Sequence, residues 1–329
     1  MILAKRLLFL LIVFVLLTPL KSINGQQLPL RPVSYRIFTP LILNPAIVGS
    51  KDFGSLDLIA SWQGKNATEG KYVSQILSGS TRLSKKAPGS FFTPKYKNFI
   101  NIGLGGYLFN EESYKSRNMG ASLSFSYQLP LNKNLLSFLS FGASIKGLYS
   151  KKDSIASADP LLMQEERHLF YPNIDFGIYY YGPNMFAGIS ATNLLGNPES
   201  PDSLGVFYFP VTRQYYFLAG YKILISRRLN IVIEPSVILN LNEDESQKLT
   251  DFIKPMIKIY LQDFCIGSYF HDNDKISLFF QYKYPRFYIG TYLELPKDRP
   301  YFKTELNFEL AIGISFSEKK SKYNKYYHW

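Results

Sequence analysis

Along Asn118-Met119-Gly120-Ala121-Ser122-Leu123-Ser124-Phe125-Ser126-Tyr127-Gln128-Leu129 the side chains alternate, residue by residue, between small or polar and mostly apolar. Met119, Ala121, Leu123, Phe125, Tyr127 and Leu129 fall on one side of an extended chain, and Asn118, Gly120, Ser122, Ser124, Ser126 and Gln128 on the other. A strand sends successive side chains to opposite faces, whereas a helix would scatter both sets around its circumference. The segment near the C-terminus keeps the same period. Leu306, Phe308, Leu310, Ile312, Ile314 and Phe316 share one face, and Glu305, Asn307, Glu309, Ala311, Gly313 and Ser315 the other.

About fourteen segments follow this pattern: Gly54–Trp62, Tyr72–Leu83, Phe99–Phe109, Asn118–Leu129, Leu136–Tyr149, Asn173–Tyr181, Met185–Thr192, Arg213–Ile225, Leu229–Asn240, Phe252–Leu261, Phe264–Phe270, Ile276–Tyr282, Phe287–Glu294 and Thr304–Phe316. The number is even, as in single-chain outer-membrane barrels. Many approach the 9–11 residues that a tilted strand needs to cross a bilayer. Connections alternate in length. Ser150–Pro172 and Asn193–Thr212 are long and Leu241–Asp251 is moderate, while Gly182-Pro183-Asn184, Ser226-Arg227-Arg228, Gln262-Asp263 and Lys283-Tyr284-Pro285 are tight. Long outer loops and short inner turns give that alternation. Ser84–Asn98 breaks it. The reading is an all-β transmembrane antiparallel barrel; a soluble β-sandwich is the competing fold.

Composition agrees. The 329 residues include 25 Tyr, 26 Phe and 2 Trp, 16% aromatic, too many for a disordered chain. Mean hydropathy is −0.06, and past the N-terminus no apolar run is long enough for a membrane helix. The single cysteine, Cys265, rules out an intrachain disulfide or a cysteine-based zinc cluster. The net charge of +12 is spread over turns and termini, which is no nucleic-acid footprint.

In lipid an open sheet edge has no hydrogen-bonding partners, so the sheet must close. Fourteen strands tilted by about 40° give a backbone radius of roughly 14 Å. A few side chains cannot fill that lumen, so either a plug or water occupies it. Glu234, Glu305 and Glu309 take lumen-facing positions, lining a polar interior or pairing with Lys254 and Lys258. Cys265 reads as a small buried or lipid-side residue.

At the N-terminus, Lys5 and Arg6 precede the apolar run Leu7–Leu17, and Gly25 offers a small residue for cleavage. This is the pattern of a secretory signal peptide over 1–25. Its removal lowers the formal charge from +12 to +9 by taking away Lys5, Arg6 and Lys21. Residues 26–53 then form a periplasmic N-terminal segment, 54–316 the barrel, and 317–329 a basic aromatic tail. Both termini are expected in the periplasm. The tail carries Lys319, Lys320, Lys322, Lys325 and Trp329, suited to a partner's acidic face, to the membrane interface, or to a frayed end.

No phosphate loop, no Gly-x-Ser-x-Gly and no His-Glu-x-x-His is present. His168 with Glu165 and Glu166 reads as a solvated outer loop rather than part of a hydrolase triad. His271-Asp272-Asn273-Asp274 reads as a turn before a cation site, and Glu243-Asp244-Glu245 as a solvated loop. Asn66-Ala67-Thr68 matches a glycosylation sequon by chance. No catalytic residue, metal site or cofactor is expected.

Several short motifs carry a resemblance. Asn44-Pro45-Ala46-Ile47-Val48-Gly49-Ser50 resembles the Asn-Pro-Ala-x-x-Gly segment that follows the signal peptide in the PorP/SprF family of outer-membrane proteins of the type IX secretion and gliding-motility system. Trp62-Gln63-Gly64 is similar to that family's Trp-Gln region. Asp175–Tyr180, Phe186–Ser190 with Asn193-Leu194-Leu195, Ala219-Gly220-Tyr221 and Glu234-Pro235-Ser236 resemble its later signatures. The chain departs from the pattern in lacking an Arg shortly before Trp62 and in continuing past Phe316. The resemblance implies a non-enzymatic barrel that supports secretion or surface attachment of cargo adhesins and contacts periplasmic secretion components. Asn44, Pro45, Ala46 and Gly49 match its motif. A structural role fits them equally well, because Pro45 fixes φ and Gly49 permits a turn into the first strand. The alternative function is a general porin or small-solute channel.

Overall fold

The computed structural model describes residues 35–51, 53–66, 70–84, 99–113, 116–132, 137–152, 167–196, 213–226, 228–242, 252–270, 275–284, 286–296 and 307–316. One helical turn, α1 (Tyr35–Phe38), and two 3-10 turns, Pro40–Ile42 and Pro45–Ile47, come first. Fifteen strands follow: β1 (Gly54–Asn66), β2 (Gly70–Ser84), β3 (Phe99–Ser113), β4 (Ser116–Asn132), β5 (Ser137–Lys152), β6 (Arg167–Tyr181), β7 (Met185–Thr192), β8 (Gln214–Tyr221), β9 (Ile223–Ser226), β10 (Ile231–Asn242), β11 (Ile253–Leu261), β12 (Phe264–Tyr269), β13 (Lys275–Tyr284), β14 (Phe287–Pro296) and β15 (Asn307–Phe316).

All pairings are antiparallel, and the sheet closes because β1 pairs with β15 and β10 with β11. β8 and β9 both lie along β10, so they are one strand in two pieces and the barrel has fourteen strands. Gly220↔Ser236 and Ile223↔Ile233 keep one register across the break, which sets Tyr221 and Lys222 opposite Pro235 and Glu234. Pro235 has no N–H to give to the ladder, and the strand is interrupted there.

The faces are those of a membrane barrel. Leu123 is 77% exposed while its neighbours Ser122 and Ser124 are 3% and 4% exposed. Outward apolar residues on β4 run from Met119 to Leu131. At about 3.4 Å per residue and a tilt of about 40° they span roughly 30 Å of height, enough for an apolar band of about 25 Å. A sandwich would bury this face, so the sandwich alternative falls.

Strand positions agree closely with the sequence reading, and the main difference is length. β2 to β6 hold 15 to 17 residues, whereas β7 has 8 and β12 has 6. On the tall side the ladder continues where side chains turn polar, because backbone pairing does not need an apolar face. One correction follows: His168 belongs to β6, opposite Lys151, and not to a loop. Glu165, Glu166, Glu305, the Glu243 and His271 clusters, the sequon beyond Asn66, the signal peptide and the 317–329 tail lie outside the described residues.

Candidate functional site: an N-terminal segment seated in the barrel

Five small residues form a continuous row across the inner wall. Gly103 pairs with Ser126, Ser126 with Gly142, Gly142 with Gly177, and Gly177 with Ser190, one from each of β3 to β7. The row lies toward the rim that carries the tight turns and the start of β1. The segment from Leu43 to Gly49 lies along it in sequence order.

At one end Ser190 Oγ donates to Leu43 O at 2.6 Å. The Asn44 side chain is fully buried and uses both ends of its amide. Nδ2 donates to Ile178 O at 3.1 Å and Ile189 O at 3.2 Å, and Oδ1 accepts from Ala46 N at 2.9 Å. The last bond caps the second 3-10 turn, and Pro45 at its first position has no N–H to leave unsatisfied. Ala46 packs on Gly142, where a Cβ would run into the Ala46 backbone; a Cβ on Gly177 would run into Asn44 Oδ1. Val48 O accepts from Ser126 Oγ at 2.5 Å and Gln128 Nε2 at 3.2 Å. Gly49 ends the run at φ 70°, against Gly103, in a conformation that favours glycine.

The same segment reaches the opposite wall. Phe38 stacks on Tyr288 with centroids 6.3 Å apart, meets Phe279 edge-on at 6.5 Å, and lies against Gly290. Tyr288 in turn donates to Asp57 Oδ1 at 2.8 Å, and Ser78 Oγ donates to Thr39 Oγ1 at 3.2 Å. Leu41, Ile42, Leu43, Ala46, Val48 and Phe53 are all buried, and each large apolar side chain so buried contributes about 1.5–3 kcal/mol. The sequence reading set 26–53 apart from the barrel as a separate segment and left the lumen open to plug or water. Over its described part the segment is an inner layer of the barrel, seated as a plug against the wall at the rim that carries the tight turns. Above it the wall residues Lys146, Ser150, Asn118, Glu111 and Asn173 are buried as well.

The other motif residues fall elsewhere. Trp62 is on the outer face, stacked on Phe308 at 6.1 Å, and the backbone of Gln63 lies opposite Tyr72 and Asn307. They are not brought together with Asn44. Asp175 is buried against Lys146 Nζ at 2.7 Å and accepts from Ser144 Oγ and from Asn193 N, both at 2.8 Å. Leu194 N donates to Ile174 O at 3.0 Å. The Asn193-Leu194-Leu195 motif is therefore a turn pinned onto β6 after β7 ends. Glu234 pairs with Lys258 at 3.4 Å and Lys222 at 3.8 Å and accepts from Tyr260 Oη at 3.0 Å. In the ladder the backbone of Lys254 stands opposite Ile238. Cys265 is buried on the inner face, opposite Tyr260. Lys222 and the small-residue row were missed from sequence. A signal for the row was available, since glycine inside a strand marks close approach of another backbone.

No curated protein sequence matches this chain. Among solved structures, the β-domain of the Bordetella autotransporter BrkA is 8% identical, covering 81% of this chain and 99% of that one with a TM-score of 0.36. BamA from Haemophilus ducreyi lacking POTRA domains 1–3 is 12% identical, covering 81% and 70%, with a TM-score of 0.37. The sequence profile described as type IX secretion system membrane protein PorP/SprF matches residues 31–314. That match takes in the plug and all but the last residues of the barrel, and the chain belongs to the PorP/SprF family of type IX secretion membrane proteins.

Proposed function

We propose that this protein is a non-enzymatic, non-conducting outer-membrane component of the type IX secretion and gliding-motility system. It supports secretion or surface attachment of cargo adhesins through contacts with the cargo and with periplasmic secretion components. The observation that carries this reading is the seated plug: Asn44, Ala46 and Val48 are fully buried inside the barrel. A diffusion porin needs an open lumen, and here the chain's own N-terminal segment occupies the end where β1 begins. Both termini are assigned to the periplasm on the even strand count. On that assignment Lys319, Lys320, Lys322, Lys325 and Trp329 are the chain's contact for an acidic periplasmic partner.

Two measurements test the reading. In liposome swelling the purified barrel should admit no small sugars; swelling at porin rates would favour the channel alternative. In cells, loss of the protein should abolish surface display of a cargo adhesin, and truncation after Ser317 should lower display while barrel abundance stays constant. Normal display in cells lacking the protein would refute the secretion role. Normal display by the truncated form would remove the tail alone.

A further inference from the structure

At the rim opposite the plug, the outward-facing rows of β3 to β6 change chemistry in one step. Met119, Tyr149 and Phe170 are cross-strand neighbours, and Phe170 is 67% exposed. Two residues further along each strand the neighbours are Glu112, Arg117, Lys151 and His168, linked by the registers Glu112↔Arg117, Arg117↔Lys151 and Lys151↔His168. Arg117 and Lys151 are direct cross-strand partners, an arrangement in which like charges repel. Glu112 is the one acid in this described row. Arg117 Nε donates to Asn110 Oδ1 at 3.1 Å, which holds the guanidinium against the wall.

A basic row one pleat beyond an aromatic row is the chemistry of a membrane interface. Rings of this kind sit at headgroup level, and Lys and Arg just beyond them attract anionic headgroups. We propose that the Arg117 and Lys151 pair binds the phosphate of an anionic lipid headgroup in the leaflet at this rim, with the acyl chains lying on Met119, Tyr149 and Phe170. Charge complementarity and continuity with the apolar band select a lipid over a soluble anion. The tall side of the barrel supplies this site, because there the ladder extends past the apolar band with the basic Arg117 and Lys151 in adjacent registers.

The test uses the full-length barrel in mild detergent with equal amounts of phosphatidylglycerol and phosphatidylcholine of matched chains, bound lipid being counted by native mass spectrometry. The wild type should retain phosphatidylglycerol over phosphatidylcholine by about thirtyfold, as two basic residues beside a charged headgroup supply. Arg117→Ser/Lys151→Ser should bring the ratio near parity, while Arg228→Ser at the opposite rim should leave it unchanged. Heat-modifiable gel mobility confirms that each variant is folded. Equal retention by wild type and the double variant would overturn the proposal. So would displacement of the bound lipid by millimolar inorganic phosphate, which would make this a soluble-anion site.

Discussion

Replacing Gly142 with alanine adds one methyl group where the plug's backbone lies directly against the barrel wall. Its Cβ would meet the Ala46 backbone N and Cα and the Pro45 carbonyl carbon, all main-chain atoms that no side-chain rotation can move. Either β5 or the plug must shift. Overpacking of a tight site costs about 1–3 kcal/mol, and at about 1.4 kcal/mol per factor of ten that changes the seated-to-unseated ratio by roughly 5- to 150-fold. Gly182→Ala is the control: the nearest atom its Cβ meets is Tyr180 Oη at 3.4 Å, so its effect should stay within about 0.5 kcal/mol. Hydrogen exchange at the Ala46, Val48 and Ser50 amides reports seating, and urea unfolding in liposomes reports the whole barrel. Gly142→Ala should speed exchange at those amides by the factor above while the exchange of β11 to β13 amides stays slow. Exchange equal to that of Gly182→Ala would refute the argument that the glycine is there for the plug.

Three further outcomes follow from the same geometry. Leu123→Arg should cost about 2–4 kcal/mol of folding stability in bilayers and Leu131→Arg at the band's edge only about 0–1 kcal/mol; equal costs in urea titration would misplace the band. Glu234→Gln leaves the buried Lys222 and Lys258 ammoniums without their shared carboxylate and should destabilise by about 3–5 kcal/mol. Lys222→Met, which removes the longer 3.8 Å contact, should cost less than Glu234→Gln in the same titration, and the reverse order would refute the pairing. A protease site inserted within 153–159 should be cut on intact cells and one at Arg227 only after permeabilisation of the outer membrane; the opposite pattern would invert the barrel.

Much of the site was readable only in pieces. Asn44-Pro45-Ala46 signals an N-capped turn by residue type alone, and Gly49 signals a position of positive φ. What these residues touch is not local: Asn44 bonds carbonyls 134 and 145 residues away. Nothing local marks Lys222, yet a proline on the neighbouring strand opens the ladder beside it and Glu234, directly opposite on that strand, pairs with it.

The period-2 alternation determined, from sequence alone, which residues meet lipid and which meet the lumen, because a strand has only two faces and water-poor lipid leaves polar side chains only one of them. With tight turns in between, it also determined strand count, order and closure, since each hairpin pairs neighbours and a membrane forbids an edge. Tertiary structure alone decided what fills the lumen. That outcome depends on glycines of β3, β5 and β6 giving the plug room to approach, and serine hydroxyls of β4 and β7 donating to its carbonyls, at one height. Register sets that coincidence through residues far apart in the chain, and no local propensity records it.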